Sequence, residues 1–392
     1  MQVIHLSDTH LGYREFQKID PKTGINQREQ DVYDAFERVA DRILQLEPDL
    51  VLHAGDLFDS VRPTNRAVNM ATAQFSRLSR ANIPTVLIAG NHDTPKIATT
   101  GTITQSLDAL PSIEAVTSDS GSNQRGYRKI PVDRALVHAV SDAPTEEELA
   151  GWISSLEPDD NYQWNILVLH AGVRSLAQEI FSGEFNEHHV DKDLLDRGQF
   201  DYIALGHYHK RMEIKLSSTT IAYYSGATER FSFNESEYSP GFLRLGFSEE
   251  GITCTEELVQ TRDFIRLEPI DCKSLTAREI QARIENALPE RDERAKSLLS
   301  LKLTRINPGT YSVLAEEYLD DLRDRMLETN LQIYTPDEVE MNKVSLHFSD
   351  LRTEFADFIN NRASVDQDID VEDLISTGQN FLGEAMGEED KT

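Results

Sequence analysis

Short apolar runs alternate with amphipathic segments along the first two thirds of the chain. The apolar runs predict buried strands at 2–6, 50–52, 85–89, 165–169 and 202–206, with further strands at 129–140 and 219–231. Between them, apolar residues recur near helical spacing and predict helices at 29–46, at 65–81, from the GNHD turn to 110, and at 145–156. Strands that alternate with helices in this order indicate an α/β fold.

The last third of the chain follows a different pattern. Residues 241–270 are rich in strand formers, and 263–335 repeat the order strand, helix, strand, helix, with helices predicted at 275–287 and 312–329. This order favours a small, separate α+β domain. The tail at 341–392 has 12 acidic and 4 basic residues, but apolar side chains line one helical face, which predicts a helix that docks on a partner.

Composition constrains the possible partners. The chain has 392 residues and a net charge of −29, which predicts two or three domains with a strongly acidic surface. Such a surface ordinarily argues against a nucleic-acid partner, because phosphates bind to basic faces. However, 27 of the 39 basic residues are arginine, a pattern that resembles proteins from salt-loaded cytoplasms. We therefore interpret the acidity as an aid to solubility and not as a guide to function.

The cellular location of the protein is predicted from two features that the sequence lacks, a membrane span and a signal peptide. No run approaches the roughly 18 apolar residues of a membrane span, and the first strand begins directly after Met1, which leaves no room for a signal peptide. Cys254 and Cys272 lie far apart and show no metal or redox spacing. A cytoplasmic protein is expected.

Polar residues of one chemical kind follow the predicted strands. The motifs DTH, GDLFD, GNHD, HAG and GHYH supply Asp8, His10, Asp56, Asn91, His92, His170, His207 and His209. Because ligands bind past the carboxyl ends of strands in open α/β sheets, these side chains are expected to converge. Carboxylate, amide and imidazole donors without a thiolate suit Mn²⁺ or Fe²⁺ better than Zn²⁺ or Mg²⁺. Without His92, the set is too large for one four-coordinate zinc, and it fits two ions about 3.5–4 Å apart that share one carboxylate, with Asp56 expected at the centre of the cluster.

The charge of such a site favours phosphate ester chemistry. Two divalent ions against Asp8 and Asp56 leave a charge of about +2, which attracts a phosphodiester and stabilises its transition state. His92 stands beside Asn91 and is predicted to face the cleft, where it would steady the phosphoryl oxygens or protonate the leaving oxygen. Asp93 is placed to orient His92.

Each motif alone has a structural explanation, and a strand-end histidine is more often a satisfied polar group than a ligand. The five motifs together, in this order, make that explanation improbable. For Asp59 we favour a helix N-cap over catalysis. We expect core packing for His5, His53 and His138, and surface positions for His188 and His189.

The motifs resemble those of the calcineurin-like metallophosphoesterases. More narrowly, the chain is similar to the meiotic-recombination-eleven family, the nuclease half of a nuclease–ATPase complex that processes DNA double-strand breaks, here expected from a halophilic archaeon. The narrower resemblance depends on HLSDTHLGYREF, GDLFDSVRPTNRA, LHAGVR, YIALGHYHKR and YSGATERF, and close similarity covers residues 1–245.

The resemblance implies roles for these residues and segments. Asp8, His10 and His209 would hold one Mn²⁺, Asn91, His170 and His207 a second, and Asp56 would bridge them, with His92 as the catalytic acid. A four-layer αββα nuclease domain is expected at 1–248, a small α+β capping domain that selects DNA at 249–338, and an acidic helical tail at 339–392. The tail would bind a coiled-coil ATPase of the structural-maintenance-of-chromosomes type. The implied activities are a manganese-dependent 3′-to-5′ exonuclease and a single-strand endonuclease, in a homodimer.

The chain departs from this family in two ways. Many relatives have a histidine that assists exonuclease action where this chain has Asp59, and many have a more basic DNA face. Loop arginines near the motifs are candidates for a local basic face, namely Arg14, Arg62, Arg66, Arg125, Arg128, Arg174 and Arg230. Two other functions stay open: a phosphodiesterase or phosphatase for small substrates or proteins, and a DNA-end tether in which hydrolysis is dispensable.

Overall fold

The computed structural model of the chain describes residues 1–96, 100–118, 126–176, 188–289, 297–335 and 375–378. The α-helices are α1 (Gln27–Leu46), α2 (Asn65–Arg80), α3 (Glu146–Ser155), α4 (Lys192–Leu195), α5 (Ala277–Ala287), α6 (Pro308–Leu314) and α7 (Asp320–Arg325). The strands are β1 (Gln2–Leu6), β2 (Leu50–His53), β3 (Thr85–Ile88), β4 (Ile113–Val116), β5 (Tyr127–Val132), β6 (Ala135–Val140), β7 (Trp164–His170), β8 (Gly172–Val173), β9 (His189–Val190), β10 (Tyr202–Gly206), β11 (Met212–Ile214), β12 (Ile221–Tyr224), β13 (Gly241–Ser248), β14 (Gly251–Leu258), β15 (Phe264–Arg266), β16 (Ile270–Asp271), β17 (Leu298–Thr304) and β18 (Glu328–Tyr334). Short 3₁₀ helices lie at Ile103–Ala109 and Phe233–Glu235, and a π-helical turn lies at Ala315–Leu319.

The chain divides into two compact units. The first unit contains residues 1–267, 284–301 and 319–330, and the second contains 268–283, 302–318 and 331–392. None of the described helices has both the length and the apolar character needed to cross a membrane.

A six-stranded sheet carries the first three predicted strands. Its order is β14-β13-β1-β2-β3-β4, in which β1 to β4 run parallel and β13 and β14 join antiparallel at one edge. Because the parallel strands point the same way, the residues after β1, β2 and β3 emerge at one edge of the sheet. β14 extends this sheet to Leu258, past residue 248 where we predicted the nuclease domain to end. The roles predicted for 249–338 and 339–392 stay predictions.

A second six-stranded sheet has the order β11-β12-β10-β7-β6-β5. Strands β6, β7, β10 and β12 run parallel, with β5 and β11 antiparallel at the two edges. The segment 129–140, predicted as one strand, is a hairpin of β5 and β6 that turns at Asp133, whose φ is 49°. The strands predicted at 165–169 and 202–206 lie at the centre of this sheet as β7 and β10.

Side chains that alternate along each strand divide the core into layers. Leu50 and Leu52 of β2 belong to a buried cluster between the two sheets, whereas Val51 belongs to a cluster between the first sheet and helices α1 and α2. A third cluster fills the space between the second sheet and helices α3 and α4. The resulting order of helices, sheet, sheet and helices confirms the predicted four-layer αββα sandwich.

The helix predicted up to residue 110 is wrong for most of its length. Within the described residues, this segment contains a 3₁₀ helix at Ile103–Ala109 and no α-helix. Gly101 and the β-branched residues Thr102, Ile103 and Thr104 all lower α-helix propensity, which the sequence pattern alone did not weigh.

The helix predicted at 312–329 is displaced by four residues towards the N-terminus, since α6, the π-helical turn and α7 together span 308–325. Helix α6 begins after Asn307, whose side chain accepts the Gly309 amide, and α7 ends at Arg325. Strand β18 follows and was not predicted. Its signal was the alternation of Leu331 and Ile333 with polar neighbours, a two-residue period that argues for a strand.

The second unit contains both strand and helix. Strand β16 pairs in parallel with β17 at Leu303 and Thr304, and Ile280, Leu314 and Tyr318 are buried. This content agrees with an α+β character for the region, while its proposed role in selecting DNA stays a prediction.

Candidate metal centre

The loops that follow the parallel strands of both sheets meet at one place. After β1, the amide of Asp8 donates to the carbonyl oxygen of Gly55 at 3.0 Å. From the second sheet, the amide of His207 donates to Asp8 Oδ1 at 3.0 Å, and His170 Nδ1 donates to the carbonyl oxygen of Ala54 at 2.7 Å. These bonds gather the predicted ligands of the two sheets into one cluster.

The first ligand group consists of Asp8, His10 and His209. One donor atom of each lies within 4.8 Å of the others. The Nε2 atoms of His10 and His209 face each other at 3.1 Å, and His209 Nδ1 is 3.0 Å from Glu235 Oε1. Because a carboxylate accepts the Nδ1 proton, the neutral His209 ring has its lone pair on Nε2, which is the form that binds a metal ion.

The second ligand group consists of Asp8, Asp56 and His170, whose donor atoms also lie within 4.8 Å of one another. Asn91 belongs to the same place, since its Oδ1 is 3.0 Å from His170 Nε2. The ring of His207 stands edge-on to that of His170 with centroids 5.4 Å apart. Each ligand predicted from the sequence is therefore in the cluster.

Asp56 of the second group also lies close to His10 of the first group. Its Oδ2 is 3.1 Å from His170 Nε2 and 3.8 Å from His10 Nε2, and the residue is 1% exposed. Burial opposes ionisation of Asp56, but the nearby imidazoles, His170 first, hold its pKa well below the usual range. Burial likewise opposes a charge on His170, but Asp56 raises its pKa to about 10. The cluster favours a positive charge between these side chains, so a metal cation and a proton compete for it.

The backbone of the cluster adopts conformations that side-chain-bearing residues rarely adopt. The φ angles of Asp8, His10 and Asp56 are 52°, 47° and 53°, and that of His207 is 105°. Left-handed backbone at a non-glycine residue costs about 1–3 kcal/mol and persists only where surrounding contacts enforce it. Such strain at four predicted ligands is typical of a functional site.

Gly90 allows the loop after β3 to approach Asp56. A methyl group at Gly90 would overlap Asp56 Oδ1 and the Asp56 amide nitrogen. We expect Gly90→Ala to displace Asp56 and to lower the Mn²⁺ content per chain, measured by equilibrium dialysis and mass spectrometry. Gly151→Ala in α3 is the control, because nothing lies within 4 Å of its added methyl group. Equal metal contents in the two variants would show that Gly90 has no such role.

His92 lies at the edge of the cluster. Its Nδ1 donates to the carbonyl oxygen of Asp59 at 2.9 Å, and its amide donates to Asp56 Oδ1 at 2.9 Å. The ring stands edge-on to that of His10, with centroids 4.8 Å apart, and lines an open cavity. This placement suits a group that meets a substrate.

The predicted capping role of Asp59 is wrong. The N-cap of α2 is Thr64, whose side chain accepts the Ala67 amide. Asp59 instead lines the cavity, with its Oδ1 3.6 Å from His10 Nδ1, and it forms a further group of candidate metal donors with His10 and His92.

Asp93 fixes two loops to each other. Its carboxylate accepts the amides of Leu57, Phe58 and Gly90, and the ring of His92 is oriented by a carbonyl oxygen and not by Asp93 as we predicted. Burial and the charge of Asp56 raise the pKa of Asp93 to about 6.

The cluster opens into a cavity of about 270 Å³ with aromatic walls. Phe231 packs against His10 and His209, with ring centroids 4.9 and 5.0 Å away. The Tyr13 hydroxyl donates to the Phe231 carbonyl oxygen at 2.6 Å. Tyr13 and Phe231 belong to sequence motifs quoted above, but neither they nor Glu235 had a predicted role.

The remaining histidines differ in their environments. His5, His53 and His138 are fully buried, which confirms core packing, and burial lowers the pKa of the first two to about 3 and of the third to about 4. The surface positions predicted for His188 and His189 are wrong. Their side chains are only 18% and 17% exposed, and their Nδ1 atoms lie 2.8 Å from Asp142 Oδ1 and 3.4 Å from Glu146 Oε1.

Several of the candidate DNA-binding arginines are engaged within the protein. Arg14, Arg128 and Arg174 form ion pairs with carboxylates, and Arg230 donates to the Tyr238 carbonyl oxygen. Arg125 lies outside the described residues. Arg62 and Arg66 are exposed, and no carboxylate in the described part of the chain pairs with them. Lys210 is also exposed and lines the cavity.

Comparison with known families agrees with this geometry. Residues 1–211 match the model of the calcineurin-like phosphoesterase family, and this range includes both ligand groups. The chain therefore belongs to the calcineurin-like phosphoesterase family, whose fold implies a site for two metal ions. It is a metal-dependent phosphodiesterase.

The curated relatives define a narrower group. The DNA double-strand break repair protein Mre11 of Methanocaldococcus jannaschii is 28% identical, over 94% of this chain and 92% of that protein. Mre11 of Sulfurisphaera tokodaii is 30% identical, over 64% of this chain and 57% of that protein. Among solved structures, the match to a dimetal phosphatase from Danio rerio covers 66% of this chain and 96% of the phosphatase chain, with 10% identity and a TM-score of 0.42. Archaeal Mre11 proteins are thus homologues of this chain, as the motifs predicted.

Proposed function

We propose that the chain is a two-metal DNA nuclease that processes the ends of DNA double-strand breaks. The observation that carries the proposal is the position of Asp56, within reach of His10 in the first ligand group and of His170 in the second. Similarity to archaeal proteins named for DNA double-strand break repair supports DNA as the substrate.

The donor set supports a pair of manganese ions. One ion is assigned to Asp8, His10 and His209, the other to Asn91, His170 and His207, and both to Asp56. Oxygen and imidazole donors without a thiolate suit Mn²⁺ or Fe²⁺ better than Zn²⁺ or Mg²⁺. The strained backbone at four of these residues supports the assignment.

Different residues of the chain have different roles in the proposed phosphodiester cleavage. Two divalent cations, when bound, supply Lewis acidity and a nucleophilic water at neutral pH. Asp8 and Asp56 offset only part of that charge, so the site attracts a phosphodiester. In its doubly protonated form, His92 donates its Nδ1 proton to the Asp59 carbonyl oxygen and would transfer its Nε2 proton to the leaving oxygen, which leaves a neutral imidazole.

Exposed cations near the cavity would guide DNA to the site. Arg62 and Arg66 follow the loop that carries Asp59, and Lys210 follows His209. Phosphate contacts from such side chains orient DNA without reading its sequence. As part of this proposal, the acidity of the rest of the surface is an adaptation to a salt-rich cytoplasm.

A cleavage assay on end-labelled DNA tests the proposal. With Mn²⁺, the chain should shorten double-stranded DNA from its 3′ ends and cut single-stranded DNA internally, and a chelator should stop both reactions. Hydrolysis of a small phosphodiester with DNA left intact would instead support a small-substrate phosphodiesterase. Binding of DNA ends without hydrolysis in any metal would support a tethering protein.

We also propose a coiled-coil ATPase of the structural-maintenance-of-chromosomes type as partner, bound through the tail at 339–392, with the chain acting as a homodimer. The tail lies outside the described residues apart from 375–378. Deletion of 341–392 should abolish co-purification with the ATPase and leave manganese-dependent cleavage intact. Loss of cleavage in the isolated deletion variant would assign the tail to the nuclease core.

A further inference from the structure

A carboxylate stands directly behind one of the proposed metal ligands. Glu235 ends the 3₁₀ helix Phe233–Glu235, and its Oε1 is 3.0 Å from His209 Nδ1. On the opposite edge of the His209 ring, Nε2 faces His10 Nε2 at 3.1 Å. We propose that Glu235 is a positioning residue that fixes the tautomer and orientation of His209 for the cation of the first ligand group. This inference rests on the proposed function, because it assumes that a cation binds there.

The carboxylate can hold His209 because it is itself fixed. Its second oxygen, Oε2, accepts the amide of Phe231 at 2.7 Å, so the two bonds use different oxygens and do not compete. The Glu235 side chain is 13% exposed, which limits competition from water for the His209 bond. A carboxylate anchored in this way presents one acceptor at one place.

The same side chain connects the ligand group to the cavity wall. Phe231, whose amide Glu235 accepts, packs its ring against both His10 and His209. Glu235 therefore binds the His209 imidazole through Nδ1 and also binds the backbone amide of Phe231, whose ring covers His10 and His209. Rotation of His209 away from the cation would break the bond to Glu235 and disturb this packing.

The two ligand groups differ in the acceptor that binds the Nδ1 proton of their histidine. His170 in the second group donates its Nδ1 proton to the backbone carbonyl oxygen of Ala54, at 2.7 Å. A carbonyl oxygen fixes the tautomer but has no full charge, whereas a carboxylate also raises the basicity of the ligand. A substitution at Glu235 should consequently lower the affinity for one of the two cations and leave the affinity for the other unchanged.

Titration with Mn²⁺ alone tests this inference on the full chain. Free Mn²⁺ is measured by electron paramagnetic resonance for wild type, Glu235→Gln and Glu235→Ala. For Glu235→Ala, the affinity for one ion per chain should fall by about 10–100-fold, the usual cost of losing such an outer contact, while the other ion keeps its affinity. Glu235→Gln should lie between the two, because its single amide oxygen can accept the His209 Nδ1 proton, but without the charge and without a second oxygen for the Phe231 amide.

Glu257→Gln is the matched control. Glu257 is 12% exposed and pairs with Arg42 and Arg244, outside both ligand groups, so this variant should bind Mn²⁺ as wild type does. Thermal unfolding in the presence of a chelator shows whether Glu235→Ala is folded. If Glu235→Ala is not folded, the Mn²⁺ affinities of Glu235→Gln test the inference. Wild-type Mn²⁺ affinities in a folded Glu235→Ala, or an equal loss in Glu257→Gln, would overturn the inference. A wild-type chain that binds two Mn²⁺ but leaves DNA intact would instead refute the proposed nuclease function.

Discussion

Asp56→Asn should remove both tightly bound Mn²⁺ ions and lower DNA cleavage by roughly three orders of magnitude. Metal Lewis acidity is worth several kcal/mol of transition-state stabilisation, and each 1.36 kcal/mol is a factor of ten in rate. The asparagine keeps the shape of the side chain but loses the charge that lies between His10 and His170. Metal content by mass spectrometry and single-turnover cleavage of end-labelled DNA measure the two effects.

Asp201→Asn is the control for loss of a carboxylate. Asp201 accepts the amide of Asn165 at 2.7 Å and precedes β10, whereas the ligands follow that strand. This variant should keep both ions and wild-type cleavage. His209→Ala should lose mainly one ion. If Asp56→Asn also loses only one ion, Asp56 binds a single cation and does not bridge.

His92→Ala should leave both Mn²⁺ ions bound but lower DNA cleavage by about 10²–10⁴-fold, the usual contribution of a general acid. The reason is that the His92 ring lines the cavity while its Nδ1 is bound to the Asp59 carbonyl oxygen, so proton transfer takes place through Nε2. Cleavage of a p-nitrophenyl phosphodiester, whose leaving group needs no proton, should fall far less. The comparison of the two substrates separates proton donation from a general disturbance of the site.

His188→Gln is the control for this second prediction. His188 is a partly buried histidine bound to Asp142, outside both ligand groups, and its replacement should leave both reactions unchanged. An equal loss with DNA and with the p-nitrophenyl ester in His92→Ala would show that His92 stabilises the phosphoryl group and does not protonate the leaving oxygen. Full DNA cleavage by His92→Ala would exclude both roles.

The candidate metal ligands could be predicted to lie together because their signal is local. An apolar run followed at once by Asp, Asn or His can be read within a few residues, as in the segment that ends at Asp56. Parallel strands then bring such ends to one edge of a sheet without further information. The four layers were predicted only through the family resemblance, and the structure shows that Leu50 and Leu52 face the second sheet while Val51 faces the helices.

The residues around the ligands could not be predicted, because their positions depend on the tertiary path of the chain. Glu235 reaches His209 only because a 3₁₀ turn directs the loop after β12 back over the cavity. No periodicity marks that turn. The error at Asp59 has another origin, because the helix predicted at 65–81 begins where α2 begins and already placed Thr64 directly before it. Strand β18 was missed for a different reason, because its two-residue period depends on only two apolar residues, Leu331 and Ile333.

Anomalous diffraction from crystals soaked in Mn²⁺ tests the central claim most directly. Two peaks about 3.5–4 Å apart are expected, one beside Asp8, His10 and His209 and the other beside Asn91, His170 and His207, with Asp56 in contact with both. A single peak, or two peaks that Asp56 does not join, would contradict a bridged pair of cations as the basis of catalysis.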